Sequence, residues 1–412
     1  MASLSGIGAV LARRNMRIFY GGSFTSWTGL WVQQVATDWL AWQLTHSPLW
    51  VAICAFCNLA PSVIVSPFAG AVADRMDRVH LTMTTQLITA VHAATLATLT
   101  YTGVIRIEYM AGLAALLGMT QAVAQPARQS MVPGMVPRGE LPGAVALNSL
   151  CYNLARSVGP GIGGVIVATW GVVPAMVVNC CGYVFASVTM SALRLDEHAR
   201  RGHAPTGSVI REAFEGIVYV VRHPGMGPLF LYAAVVGVLV RAVPEMLPPF
   251  VAQLFGRGAE GLATLSSAIG LAALVGGLTV ALHARLTGLV RYAVVSGTIV
   301  ALATGGFVAT HSFFFAVVCA CVMGGATTVH GISIQTLLQS ATAGHMIGRV
   351  ISLWGMLTRV TPAIGTLAYG AASEVAGLQA PVLLGALLAV GACILAARRL
   401  PSMAQSLEFA EA

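Results

Sequence analysis

The chain has 412 residues, of which 57% are hydrophobic and 9% are charged. Soluble domains carry about 25% charged residues, so a soluble globular fold cannot hide this much apolar surface, and the composition indicates a membrane protein. A formal net charge of +8 is also typical of proteins that bind nucleic acid. The basic residues are all arginine and are separated by side of the membrane, which argues against nucleic-acid binding.

Apolar segments follow one another along almost the whole chain. A helix of about 20 residues crosses the ~30 Å hydrocarbon core of a bilayer, and each of these segments is long enough to do so. We predict twelve membrane spans, over residues 18–41, 49–72, 80–102, 108–127, 144–168, 171–193, 228–252, 261–283, 291–310, 312–336, 350–372 and 378–397.

The distribution of arginine predicts the orientation. Three of the 22 basic residues lie within spans. All the others except Arg106 and Arg257 fall on one side, Arg128 among them. Because positive charge collects on the cytoplasmic side, we expect both termini in the cytoplasm. The chain is thus predicted to be a multi-pass membrane protein, and we expect that membrane to be the bacterial inner (plasma) membrane.

Four regions are predicted along the chain. Residues 1–193 and 228–400 form two six-helix bundles, residues 194–227 form a cytoplasmic linker with a short amphipathic helix, and residues 401–412 form a polar, mobile cytoplasmic tail. The bundles resemble each other. Gly70 to Arg78 has the same spacing as Gly277 to Arg285, and the same offset places Asp38 of the first span on Glu245 of the seventh. These matches favour an internal duplication.

A charged loop between the second and third spans carries Gly70, Asp74, Arg75 and Arg78. A carboxylate here can meet a helix N-terminus or an arginine. A pair that forms in one conformation and breaks in the other would act as a latch for rocking between the bundles. The alternative is a topology anchor that only holds positive charge in the cytoplasm.

The fifth span contains Gly159-Pro160-Gly161-Ile162-Gly163-Gly164. Proline removes a backbone donor and bends a helix, while glycines let a neighbouring helix pack closely. A bend in this span could decide to which side the cavity opens. Ordinary glycine packing is the alternative.

Five charged residues are predicted inside spans: Asp38, Arg156, Arg241, Glu245 and Arg359. Such charges cost about 2.5–3.5 kcal/mol each at a helix centre, so they should face a cavity or a partner. Arg241 and Glu245 are four residues apart and are expected to share one helix face. The acids are candidates for proton coupling, with a static gate as the alternative. The other two arginines either bind an anionic group of the substrate or brace the cytoplasmic half.

Trp27 and Trp31 lie one turn apart in the first span and are candidates for lining an aromatic substrate cavity. We find no Ser/His/Asp constellation, no metal-ligand cluster and no phosphate-binding loop in the sequence. The chain is therefore expected not to be an enzyme and to use neither a cofactor nor a metal.

The two motifs resemble those of the major facilitator superfamily. The charged loop is similar to the family's loop between helices 2 and 3, although Asp77 stands where a glycine is usual, and residues 159–164 resemble its antiporter motif. Residues 43–48 and 126–133 are similar to the branch of enterobactin-type siderophore exporters and macrolide efflux proteins, and lysophospholipid transporters are also similar. The resemblance implies an all-α fold of twelve transmembrane helices in two pseudo-symmetric six-helix bundles.

The resemblance also implies a function. The chain is expected to be a secondary active transporter that exports an amphipathic small molecule, such as a drug, a macrolide or a siderophore-like compound, by alternating access. The resemblance makes proton-coupled antiport a candidate mechanism. The protein is expected to be a monomer. The alternatives are a lysophospholipid flippase and, from another class, a non-transporting membrane receptor or assembly subunit.

Overall fold

The computed structural model describes residues 4–193, 209–282 and 288–408, and in these ranges all the regular structure is helical. The helices are α1 (Leu4–Ala12), α2 (Arg14–Thr45), α3 (Pro48–Arg75), α4 (Arg78–Tyr101), α5 (Ile107–Met131), α6 (Leu141–Trp170), α7 (Val172–Ser191), α8 (Val209–Arg222), α9 (Met226–Leu239), α10 (Ala259–Leu282), α11 (Leu289–Ala309), α12 (Phe313–Ala341), α13 (Ile347–Ala376), α14 (Gln379–Arg398) and α15 (Leu400–Leu407).

Every predicted span except the seventh lies on one continuous helix. Within the described ranges, nine helical segments are long and apolar enough to cross a membrane. The other three long helices, α2, α4 and α6, have 32, 24 and 30 residues and are more polar. Length therefore allows all three to cross a bilayer, and twelve crossings remain the prediction.

The seventh span is not one helix, which corrects the prediction of a continuous segment over 228–252. Helix α9 ends at Leu239, a 3-10 turn covers Val243–Met246, and a π-helical turn covers Phe250–Leu254. Proline explains the break, because Pro244 donates no backbone hydrogen bond and its ring clashes with the carbonyl four residues earlier. Arg241 therefore lies in the turn after α9 and Glu245 in the 3-10 turn, and contact between their side chains stays a prediction.

The chain packs as two compact units. The first contains residues 1–45, 57–206 and 258–267, and the second contains residues 46–56, 207–257 and 268–412. The unit boundaries cross two helices, since the first residues of α3 belong to the second unit and the first residues of α10 belong to the first.

An exposed ion pair fixes α1 at the arginine-rich end of the first unit. Arg13 donates from Nε and Nη2 to the two carboxylate oxygens of Glu140, at 2.6 and 2.7 Å. The hydrogen bonds from Arg13 hold the pKa of Glu140 below its ordinary value. Nearby, the Tyr20 hydroxyl donates to the carbonyl of Ala144 and ties α2 to α6.

Helix α8 lies in the linker, where a short amphipathic helix is predicted. Glu215 pairs with Arg349 of α13 at 2.9 Å. Two apolar side chains of α8, Phe214 and Val221, are 65% and 71% exposed. Such a face suits contact with the membrane surface.

Up to residue 408, where the described part of the tail ends, the chain does not form the polar, mobile segment that we predicted. Helix α15 covers Leu400–Leu407, and its apolar residues Met403 and Leu407 are 1% and 2% exposed. The next residue, Glu408, accepts hydrogen bonds from the backbone N–H groups of Gly288 and Val290 at 2.7 and 2.8 Å. A carboxylate at this position satisfies free donors at the start of α11 and complements the helix dipole.

Replacing the capping carboxylate should weaken the second unit. We expect Glu408→Ala to lower the free energy of unfolding by about 0.5–2 kcal/mol, the usual cost of losing a helix cap. Thermal unfolding of the protein in nanodiscs measures this. Gln405→Ala is the matched control, since Gln405 is an exposed residue of the same helix. Equal unfolding temperatures for both variants would contradict the capping role.

Candidate functional site

Two arginines lie over two tryptophans in the first unit. The guanidinium carbon of Arg128 lies 5.5 Å from the ring centroid of Trp27, and that of Arg156 lies 5.4 Å from the ring centroid of Trp31. Both tryptophans belong to α2, one turn apart, while the arginines come from α5 and α6. The structure thus brings together three residues that the sequence singled out and adds Arg128.

The helix of the predicted fourth span is longer than expected and carries Arg128, whose place on the cytoplasmic side stays a prediction. The predicted span ended at residue 127, but α5 continues to Met131 through Pro126. Membrane helices tolerate such a proline because neighbouring groups satisfy the freed backbone. Arg128 therefore lies on the helix, where it is 8% exposed, and its Nη1 has no hydrogen-bond partner among the described residues.

Two tyrosines and a glutamine complete the site. The ring of Tyr152 on α6 stands edge-on to Trp27 with centroids 5.5 Å apart. On α7, Tyr183 is 1% exposed, and its hydroxyl accepts a hydrogen bond from Nε2 of Gln121 at 2.7 Å. We name the set Trp27, Trp31, Gln121, Arg128, Tyr152, Arg156 and Tyr183 the arginine–tryptophan cluster.

The contacts of Arg128 do not compensate for its burial. Arg128 lies near the end of α5, and taking an ion of this kind out of water costs several kcal/mol. A desolvated cation–π contact returns about 2 kcal/mol, and Arg128 has one, to Trp27. Among the residues whose side chains the structure describes, no carboxylate pairs with it. The cluster therefore carries a positive charge that its known neighbours do not neutralise.

The antiporter motif positions α6 against this cluster. A Cβ atom at Gly159 would lie 2.5 Å from the Cβ of Trp31, and one at Gly163 would lie 2.7 Å from the carbonyl oxygen of Val32. Real Cβ atoms do not approach so closely, so only glycine fits at these two positions. Pro160 lies inside the helix between them. The motif thus holds the backbone of α6 directly on the helical turn that carries Trp31.

The fourth glycine of the motif faces another helix of the same unit. A Cβ at Gly164 would overlap the Cβ of Ala263 on α10. A Cβ at Gly161 would lie 3.1 Å from Oγ of Ser267, also on α10. Close packing by small residues is a standard means of joining helices in lipid, and here the motif joins α6 to two partners.

The predicted charges fall in different units. In the first, Asp38 lies on α2 and accepts a hydrogen bond from Nε2 of Gln34 at 2.8 Å. Asp38 is seven residues from Trp31, and both are partly buried, so they share a face of α2 about 10 Å apart along its axis. In the second unit, Arg241 and Glu245 lie in the break that interrupts the seventh span after Leu239. Arg359 lies on α13 shortly before Pro362.

The loop predicted as a latch is shorter than expected. Helix α3 continues to Arg75, so Asp74 and Arg75 are its last residues, and the connection is Met76–Asp77. Asp77 is the N-cap of α4 and accepts hydrogen bonds from the N–H groups of Val79 and His80. Arg78 donates to the carbonyl of Ser130 at 3.0 Å. The side chains of residues 66–75 lie outside the described set, so the latch itself remains a prediction.

Nothing in the described part of the chain resembles a metal centre, because no group of three or more His, Cys, Asp or Glu side chains is placed to hold an ion. The chemistry offered by the cluster is binding chemistry. It consists of flat aromatic faces, two guanidinium groups and an indole N–H.

Comparison with known proteins supports a transport role. A family model described as transmembrane secretion effector matches residues 6–411. The chain is 25% identical to the staphyloferrin A transporter of Staphylococcus aureus (strain NCTC 8325 / PS 47), over 88% of this chain and 90% of that protein. It is 27% identical to the multidrug efflux pump Tap of Mycolicibacterium fortuitum, with the same shares covered. The enterobactin exporter EntS of Escherichia coli O1:K1 / APEC is 27% identical over 63% of this chain and 60% of its own length.

Solved structures agree on the fold. A POT family transporter in complex with 5-aminolevulinic acid superimposes with a TM-score of 0.79 at 10% identity, covering 95% of this chain and 97% of that one. A bacterial homolog of the human lysosomal transporter Spinster, in an inward-facing and unoccupied conformation, gives 0.71 at 14% identity, with 98% of each chain covered. At these identities the likeness concerns the fold alone.

The contact between α6 and α2 predicts the effect of one added methyl group. We expect Gly159→Ala to destabilise the protein by about 1–3 kcal/mol, the usual cost of overpacking, because the new Cβ would overlap Trp31. Thermal unfolding and tryptophan fluorescence in nanodiscs measure this. The control is Gly112→Ala in α5, where nothing lies within 4 Å of the new atom, so stability should be unchanged or slightly higher. If both variants behave like the wild type, this packing is unimportant.

Proposed function

Because the chain belongs to the transmembrane secretion effector family of the major facilitator superfamily, and is a transporter rather than an enzyme, we propose that it exports an amphipathic small molecule by alternating access. The observation that carries this proposal is the arginine–tryptophan cluster. Its aromatic faces suit the apolar part of such a molecule, and its guanidinium groups suit the polar part.

The relatives point to the same class of substrate. Their names state transport of a siderophore, efflux of drugs and export of enterobactin. Other relatives are macrolide efflux proteins. We propose a drug, a macrolide or a siderophore-like compound as the substrate, and outward movement as the direction. Residues 159–164 support export because they resemble the antiporter motif of exporting major facilitator families, and their glycines hold α6 on α2 at the cluster itself.

The movement that we propose is rocking between two six-helix bundles, residues 1–193 and 228–400, joined by the linker 194–227. The protein would act as a monomer in the bacterial inner membrane with both termini in the cytoplasm. Gly70, Asp74, Arg75 and Arg78 would form a contact that is made in only one of the two states. The N-capping of α4 by Asp77 gives this region a rigid start for the third span.

Flux into inverted membrane vesicles tests the export proposal. The panel contains siderophores, macrolides and lysophospholipids, each with and without an uncoupler. We expect vesicles that contain the protein to accumulate a siderophore or a macrolide above the level of empty vesicles. Accumulation of none of the panel would contradict export. Movement of a lysophospholipid alone, insensitive to the uncoupler, would instead support the flippase alternative.

Proton coupling is the second part of the proposal. If Asp38 and Glu245 carry the coupled proton, the double variant Asp38→Asn/Glu245→Gln should still bind substrate but should lose all dependence of flux on the pH gradient. Flux is measured at fixed substrate concentration across imposed gradients. Glu108→Gln, which removes an exposed carboxylate from the first turn of α5, is the control. Gradient dependence that survives in the double variant removes both acids as the coupling site.

A further inference from the structure

The arginine–tryptophan cluster contains two donor groups that lack acceptors. Nη1 of Arg128 and Nε1 of Trp31 are buried, and neither has a hydrogen-bond partner among the described residues. Arginine and the indole N–H can only donate hydrogen bonds. Most buried polar groups in proteins are paired, so two unpaired donors in one cluster, on α2 and α5, indicate that something else supplies the acceptors.

The described neighbours of Arg128 include no carboxylate. The ionisable side chains closest to it among the described residues are the phenols of Tyr152 and Tyr183, and neither is a carboxylate. The second guanidinium, Arg156, lies over the adjacent tryptophan. The described part of the cluster therefore offers positive charge and donors, with no carboxylate in contact to neutralise them.

The side chains of the cluster differ in their exposed fraction. Arg128 and Trp27 are 8% and 6% exposed, whereas Tyr152 beside them is 39% exposed. Trp31 and Arg156 are partly buried. A ligand can therefore reach the tyrosine and the second arginine first, and then place one group against the buried guanidinium.

We propose that the transported molecule carries an oxyanion, a carboxylate or a phosphate, that binds Arg128, with its aromatic or apolar body against Trp27 and Tyr152. Guanidinium binds such oxyanions through two parallel hydrogen bonds. Arg156 and the indole N–H of Trp31 supply the further donors. This inference rests on the proposed export function and adds the charge of its substrate.

Binding of three matched probes tests the inference. The probes are 1-naphthylacetate, 1-naphthyl phosphate and neutral 1-naphthylacetamide, which share one aromatic body. Equilibrium dialysis at pH 7 uses the full-length protein in nanodiscs. We expect the wild type to bind at least one anion ten-fold or more tightly than the amide. The carboxylate and phosphate arms decide which oxyanion is preferred.

Variants assign the preference to Arg128. Arg128→Gln should lose at least ten-fold in affinity for the anion and keep the affinity for the amide, which also shows that the variant is folded. Arg128→Lys should retain part of the preference, since it keeps the charge but not the planar fork. Arg106→Gln, which removes an exposed charge at the other end of α5, should behave like the wild type.

Several results would overturn the inference. They are equal affinity of the wild type for the anions and the amide, absence of anion binding, and an anion preference that persists in Arg128→Gln. Stability provides an independent readout. Removing an unpaired buried charge should raise the unfolding temperature of Arg128→Met above that of the wild type, whereas breaking a buried ion pair would lower it. A lower unfolding temperature would therefore also contradict the inference.

The binding assay needs no gradient, so its failure is distinct from failure of the export proposal. Anion binding without vesicle flux would overturn export and leave the oxyanion-binding site at Arg128 in place. Vesicle flux of neutral compounds, without an anion preference in binding, would support export and overturn the inference of an anionic substrate.

Discussion

The absence of water from the hydrocarbon core of a membrane governs this structure. A charge or hydrogen-bonding group in that layer must find a partner inside the protein or face a water-filled space. The apolar side chains of the α4, α12 and α14 surfaces remain exposed, as in Val91, Phe314 and Leu387 at 65%, 79% and 70%. Trp27 and Trp31 of α2 instead face Arg128 of α5 and Arg156 of α6. The arginine–tryptophan cluster is a direct result of that sorting.

Close helix packing fixes the position of α6 against α2. In lipid, apolar surface alone does not draw helices together, so small residues that allow backbone contact determine where helices meet. Gly159 and Gly163 place α6 on the turn of α2 that carries Trp31. From the same helix, Arg156 reaches over the ring of Trp31. The motif that the sequence associates with export thus also positions a charged group of the candidate site.

Most of the helices could be predicted from the sequence because apolar runs of the required length leave few alternatives. The seventh span shows where this reasoning fails: its hydropathy is continuous, but Pro244 prevents one helix from continuing. Arg128 shows the opposite error. The predicted span ended at residue 127, whereas the helix passes through Pro126 to Met131 and buries the arginine. Composition describes the lipid-facing surface well but does not show which polar residues lie inside.

The tail illustrates a further limit. Its short polar sequence after Pro401 predicted mobility, but two apolar residues one turn apart, Met403 and Leu407, bury themselves on the second unit. A pattern of two residues is too weak to identify such a helix from sequence alone. The pairing of α2 and α6 through arginine and tryptophan was likewise beyond prediction, since it depends on contacts between residues more than a hundred positions apart.

The central claim is that the arginine–tryptophan cluster is the water-accessible binding site for the transported molecule. Labelling of Tyr152→Cys, in a variant without the eight native cysteines, tests it most directly. A membrane-impermeant maleimide should react at position 152, and a saturating amount of a compound that the protein transports should slow the reaction. Val145→Cys, an exposed position on the same helix, should show no such protection. Unchanged labelling at position 152 in the presence of that compound would contradict the account.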